Sequence, residues 1–197
     1  MPKQNATIIL GIDPGSRATG VAVMEVAGSK VMVKKCDTLR TTHLKEQADR
    51  LQYLYKEIGE LVRNFTPSTG AIDTPVYGRD PHAMLKLGRA QAACILAMKN
   101  AGLEITEYLP KAVKKSVTGN GNASKQQVAR MLEQTLPLKA LGEISKDASD
   151  ALAVAWCHFM KQSAFSENSG SSTSRQKRSS GGWESFVKNN PDRISSG

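Results

Sequence analysis

The sequence predicts a mixed five-stranded α/β sheet with helices on both faces, and three observations carry that prediction. Three strand-like runs open the chain with no helical spacing between them. Two later strands are each bracketed by helical patterns, and the chain then closes in helices. The first run, Thr7 to Ile12, is apolar and ends on Asp13. After the turn Pro14-Gly15-Ser16 come Gly20 to Ala27 and Lys30 to Leu39, which read as an antiparallel meander. From Leu44 the period changes, with Leu44, Ala48, Leu51, Tyr55, Ile58, Val62 and Phe65 recurring at steps of four and three. Leu54 and Leu61 widen that stripe into a core-facing helix.

Thr69 to Asp73 is a short strand. Asp80 followed by Pro81 is a helix start, and Gly102 is the stop after about Ala101. Along that helix Gly88, Ala92 and Ala93 are small enough to let another element approach closely. Glu104 to Tyr108 makes the fifth strand, a short helix follows Pro110, and Ser124-x-x-Gln127 is a capping box for the next. The last helix starts near Ser145 and ends around Gln162. Residues 1–162 form the expected folded domain. From Ser163 to Gly197 the composition turns to Ser, Gly, Asn and charge, which predicts a disordered tail.

The formal charge is +9, from 27 basic and 18 acidic residues, which favours a polyanionic partner without specifying one. The tail holds five basic and three acidic residues, so most of the excess belongs to the domain. The longest apolar stretch, Ala92 to Met98, is far shorter than a membrane span. No signal-peptide core precedes the first strand, and the three scattered cysteines (Cys36, Cys94, Cys157) suit a reducing cytoplasm as buried small residues.

Four acids stand where rigid elements end or begin. Asp13 closes the first strand within Gly11-Ile12-Asp13-Pro14-Gly15-Ser16; on that motif alone, an acid opening an Asp-Pro-Gly turn accounts for it equally well. Asp73 closes Ala71-Ile72-Asp73. Asp147 and Asp150 lie three apart at the start of the last helix, on one face. The apolar run Ala151 to Ala155 buries that helix, so its acids are drawn into an enclosed place where like charges repel unless a cation intervenes. Hard oxygen ligands select Mg²⁺ or Mn²⁺, and acids on separate rigid segments are what two-metal phosphodiester hydrolysis needs. The basic counterpart is Lys111, Lys114 and Lys115, followed by a glycine-rich loop that delivers Lys125 on a capped helix N-terminus suited to a phosphate. Tyr77 and Arg79, just beyond Asp73, are candidates to stack on a base and contact a strand. The Gly-Ile-Asp-x-Gly opening also resembles sugar-kinase and chaperone-type ATPases, but the chain is too short for their second nucleotide-binding subdomain.

Three blocks sharpen the reading. Gly11 to Ser16 followed by Arg17-x-Thr19-Gly20, then Leu85 to Gln91 with Val113-Lys114-Lys115-x-Val117-Thr118-Gly119, and finally Asp147-Ala148-x-Asp150-Ala151 to Ala155-x-Cys157-His158 occur in order over roughly residues 7 to 160. In that order they resemble the RuvC family of Holliday-junction resolvases. The resemblance implies a ribonuclease-H-like fold and a homodimer whose two sites nick opposing strands of a four-way DNA junction in recombination and repair. It also implies the RuvA–RuvB branch-migration complex as partner. The family's catalytic and metal-holding carboxylates fall on Asp13, Asp73, Asp147 and Asp150, with Mg²⁺ as cofactor, Mn²⁺ able to substitute, and two ions per site. Its basic catalytic or DNA-binding residues fall on Lys114 and Lys125, beside which Lys115, Tyr77 and Arg79 complete the expected DNA contacts.

Two departures stand out. The family has glutamate at Asp73, and the aromatic residue expected three positions later is Val76, with Tyr77 one place on. A carboxylate one methylene shorter sits back by about the distance at which misplacement costs ~100-fold in rate. The expectation is retained metal binding with weakened turnover; the alternative is a junction-binding protein with little or no cleavage.

Overall fold

The computed structural model describes residues 6–28, 30–76, 78 and 80–169. The chain divides into two compact units, Met1–Ser163 and Ala164–Gly197, and the site lies in the first. Its strands are β1 (Thr7–Asp13), β2 (Ala18–Ala27), β3 (Lys30–Arg40), β4 (Thr69–Asp73) and β5 (Glu104–Tyr108). They form one sheet in the order β3-β2-β1-β4-β5. The first three pair antiparallel as a meander, and β1, β4 and β5 run parallel.

Period-two alternation assigns the two faces. Leu10, Ile12, Val21, Val23, Leu39 and Ile72 pack beneath α1 (Gln47–Phe65) and α2 (Pro81–Asn100). The other face carries Ile9, Ala22, Met24 and Ala71 and lies against α3 (Pro110–Thr118), α4 (Lys125–Thr135) and α5 (Lys146–Ser169). Asp13 follows Ile9 and Gly11 at even spacing, and Asp73 follows Ala71. Both acids therefore stand on the α5 face, at the carboxyl ends of adjacent parallel strands.

α5 can lie so low because the sheet beneath it has no side chains at two points. A Cβ on Gly20 would collide with the Asp147 carbonyl oxygen, and one on Gly11 would meet the Ala151 carbonyl and stand 2.7 Å from the Ala155 Cβ. Helix backbone thus rests directly on strand backbone. Midway along its length α5 is pinned by His158, whose ring meets the Tyr108 hydroxyl at 2.9 Å and the Thr69 hydroxyl at 3.1 Å. Burial pushes the His158 pKa down, which keeps that ring neutral among its partners.

Several boundaries follow their signals. Asp80 caps α2 by accepting from the His82 N–H at 2.9 Å, with Pro81 next. Ser124 and Gln127 form the reciprocal capping box of α4. Three expectations need correction. α1 begins at Gln47 and not at Leu44, because residues 41–44 close a turn anchored by the Thr41 hydroxyl on the Ser16 carbonyl. Its buried face is Leu54, Ile58, Leu61 and Val62, whereas Ala48 and Tyr55 are exposed. The leucine row wins the core, and the helix turns Tyr55 outward to accept from the Asn100 amide at 2.8 Å. Finally, α5 passes Gln162 and runs to Ser169, since the first helix breaker after that point is Gly170. The remainder of the tail expected from Ser163, residues 170–197, lies outside the described residues.

Gly20→Ala places a methyl against the Asp147 carbonyl and should cost about 1–3 kcal/mol or more. Urea denaturation measures this, and a loss below about 0.5 kcal/mol, the range of an ordinary surface change, would contradict the close approach.

Candidate active site

Five of the expected residues line one small cavity of about 70 Å³: Asp13 from β1, Asp73 from β4, Lys114 from α3, Lys125 from α4 and Asp150 from α5. A neighbouring cavity of about 180 Å³ shares Asp13 and Asp73 and continues along Pro14, Pro75, Val76 and Leu87. A larger hollow of about 890 Å³, lined by Tyr53, Tyr55 and Arg63 among others, belongs to the α1–α2 side and holds none of these acids.

Burial makes the acids unusual. The Asp13 carboxyl is pushed up to about 7, first by burial and then by the negative charges of Asp150 and Asp73, with Lys125 opposing. Burial raises Asp73 to about 6, although the Thr74 backbone N–H favours its charged form. Asp73 Oδ1 is buried with no hydrogen-bond partner. On α4, the Lys125 ammonium forms an ion pair with Asp150. Burial pulls its pKa down, but the hydrogen bond and charge of Asp150, with Asp13 and Asp147, outweigh that and raise it. Lys125 occupies the first position of a helix, where the helix dipole already concentrates positive charge. The carboxylates supply the counter-charge that makes the placement favourable.

Asp147 stands apart. It does not line the cavity, and its effect on Asp13 is the smallest of the three neighbouring acids. Lys115 is exposed on α3 outside the cavity lining. Tyr77 and Arg79 lie outside the described residues. Val76 is 56% exposed at the rim of the neighbouring cavity.

The residues fit a hard divalent cation. The donors are all carboxylate oxygens, one of them is buried without a partner, and burial and the charge of Asp150 both disfavour the ionised forms of Asp13 and Asp73, which a cation would relieve. Among the described residues no three His, Cys, Asp or Glu side chains already close on a common point. Lys125 pairs with Asp150, and its charge also acts on Asp13 and Asp73.

The strand order, the mixed pairing and the helices on both faces define a ribonuclease-H-like protein. The model of the family described as crossover junction endodeoxyribonuclease RuvC matches residues 9–158. A protein of that name from Salinibacter ruber is 43% identical over 95% of this chain and 99% of its own length. One from Christiangramia forsetii is 41% identical over 95% of this chain and 92% of its own. Among solved structures, Thermus thermophilus RuvC in complex with a Holliday junction substrate superposes with a TM-score of 0.74 at 28% identity, covering 81% of this chain and 96% of that one. The yeast mitochondrial Holliday junction resolvase Ydc2 shares the fold, with a TM-score of 0.59 at 14% identity over 82% of each chain. This chain belongs to the RuvC family of crossover junction endodeoxyribonucleases. The alternative of a binding protein without cleavage finds no support in these relatives.

The raised carboxyls set a pH dependence. Asp13 and Asp73 release their protons at higher pH folded than unfolded. Each therefore stabilises the fold fully below about pH 3.8, and that contribution is lost as pH rises through about 6 for Asp73 and about 7 for Asp13. In chelator, the melting temperature should fall between about pH 4 and 7 and level off above, and Asp13→Asn should flatten the fall. Calorimetry across that range checks this, and a native protein with no slope, or a variant with the same slope, contradicts it.

Proposed function

We propose that this protein is a structure-selective endonuclease that resolves four-way DNA junctions by metal-dependent hydrolysis, giving paired symmetric nicks in recombination and repair. The observation that carries the reading is the gathering of Asp13, Asp73 and Asp150 around one cavity with Lys114 and Lys125 at its wall, in a chain of the RuvC family. Asp13, Asp73 and Asp150 hold the ions, and Asp147 joins them from the first turn of α5. Mg²⁺ is the natural ion, with Mn²⁺ able to replace it and two per site. Bound there, divalent cations supply Lewis-acid activation of a water nucleophile and neutralise charge at the leaving oxygen.

The protein's own groups do the rest. The sheet fixes Asp13 and Asp73 at the ends of neighbouring strands, so the acids cannot drift apart when charged. Lys114 and Lys125 meet the phosphate of the strand to be cut. Lys115 and Lys111 extend that positive surface along α3, and Tyr77 and Arg79 contact the DNA beyond Asp73.

The enzyme acts as a homodimer, which opposed nicks require. An unpartnered stripe on α2 supports this: Leu85 and Leu96 are 53% and 55% exposed, Ala92 is exposed between them, and the space beside Gly88 is open. Branch migration is supplied by a RuvA–RuvB complex, as the family resemblance implies. The protein works in the cytoplasm; no described helix is long and apolar enough to cross a membrane.

A synthetic four-way junction with Mg²⁺ tests the chemistry. The native protein should nick opposing strands, and Asp13→Asn should lose roughly 10³-fold or more in rate while still shifting the junction on a gel. Junction binding without nicking by the native protein would overturn the reading. In the same assay Asp73→Glu should nick up to ~100-fold faster by restoring the longer reach; no gain in rate would overturn the expectation of weakened turnover. Leu96→Glu should convert a dimer to monomers in analytical ultracentrifugation, and a native protein that sediments as a monomer would remove the α2 interface.

A further inference from the structure

β3 is an edge strand, and a reading built on acids at strand ends gives it no part in the chemistry. Pairing register changes that. Asp13 is the partner of Gly20, and Gly20 is the partner of Thr38, so the three stand in one row across β1, β2 and β3. The next row on the same face is Gly11, Ala22 and Cys36. The first turns of α5 lie across both rows. The Asp147 carbonyl sits over Gly20 and the Ala151 carbonyl over Gly11. At the β3 end of each row a side chain takes hold of the helix. The Thr38 hydroxyl meets the Ser145 hydroxyl at 2.5 Å, and the Cys36 thiol donates to the Ala148 carbonyl at 3.3 Å.

The two kinds of contact constrain different motions. The glycines set how deep α5 sits, since backbone touching backbone can go no lower. They do not stop the helix from sliding or rolling over a surface that lacks side chains. Thr38 and Cys36 do. Ser145 is also the residue whose hydroxyl accepts from the Ala148 N–H at 3.2 Å, so the group gripped by Thr38 is the one that caps the start of α5. From Ser145 to Asp150 the helix rises about 7.5 Å, so a tilt of about 8° at the cap moves the Asp150 carboxylate by about 1 Å, enough to cost ~100-fold in rate.

The geometry assigns Thr38 as a positioning residue, with Cys36 as a second tether: from the edge of the sheet it fixes the roll and slide of the first turns of α5, and so the aim of Asp147 and Asp150 at the acids of β1 and β4. The assignment rests on the reading that these carboxylates hold a divalent metal. A merely structural hydrogen bond would change stability and leave ion affinity alone.

Mn²⁺ binding to the full-length protein without DNA, followed by the electron paramagnetic resonance of the unbound ion, separates the two. Thr38→Val keeps the shape and removes the hydroxyl, and should weaken Mn²⁺ about 10-fold, the scale of a lost contact behind a metal ligand. Thr38→Ser should restore the affinity to within about twofold. Mn²⁺ binding by Thr38→Val within about twofold of native, or by Thr38→Ser as weak as by Thr38→Val, overturns the assignment. If Thr38→Val lacks a thermal unfolding transition, Cys36→Ala removes the other tether with the same expectation, and native affinity there overturns it equally. Asp13→Asn is run alongside. Native Mn²⁺ affinity in Asp13→Asn, or no binding by any of the proteins, removes the metal site itself, a result distinct from failure at Thr38.

Discussion

The site depends on how closely one helix approaches one sheet. α5 lies with its backbone on Gly11 and Gly20, and its own contact residues, Ala151 and Ala155, are as small as a helix allows without glycine. Because that contact is backbone on backbone, it does not compress or give. It brings Asp150 beside Asp13 and excludes enough water to push the Asp13 carboxyl up to about 7. A larger residue at either glycine would lift the helix, separate the acids and return them to solvent. The electrostatics of the cluster therefore begin with two missing side chains.

The same closeness explains Lys125. Three acids in a partly buried place need a positive partner, and the capped N-terminus of α4 delivers one. A lysine at the first position of a helix is poorly placed by dipole alone, so its location makes sense only with Asp150 opposite. Asp73 is held differently. Its strand fixes it, the Thr74 N–H favours its charge, and one of its oxygens is left buried without a donor. That unpartnered oxygen is a place for a cation.

Much of this was legible in the sequence, and the exceptions share a cause. The strand ends at Asp13 and Asp73, the Asp80 and Ser124 caps and the stop of α2 before Gly102 are local signals, and the structure follows them, whereas α5 overruns its expected end. The acids could be picked out because each sits at the end or start of a rigid element. Local pattern could not say which way α1 turns, since Leu54 and Tyr55 each complete a plausible stripe and only the α2 interface decides between them. Nor could it show that Asp147 stands back from the cavity while Asp150 lines it, because two acids three apart share a helix face yet differ by about 60° in direction and about 4.5 Å in height, and only the packed sheet shows which of them reaches the cavity. The role of β3 was hidden for a third reason. Thr38 faces Ser145 only because β2 and β3 pair in a register that shifts between Val23 and Met24, a fact about two strands together. The small residues Gly11, Gly20 and Ala151 were visible as part of a family motif, yet what they do is clear only when helix and sheet are seen in contact.

The central claim is that α5 presses the carboxylates into a shared, poorly solvated site before any ion arrives. Its most direct test is a carbon-13 NMR titration of the aspartate side-chain carboxyls in the metal-free protein. The account predicts that Asp13 titrates near pH 7 and Asp73 near pH 6. Both residues titrating near the ordinary aspartate value of about 3.9 would contradict it.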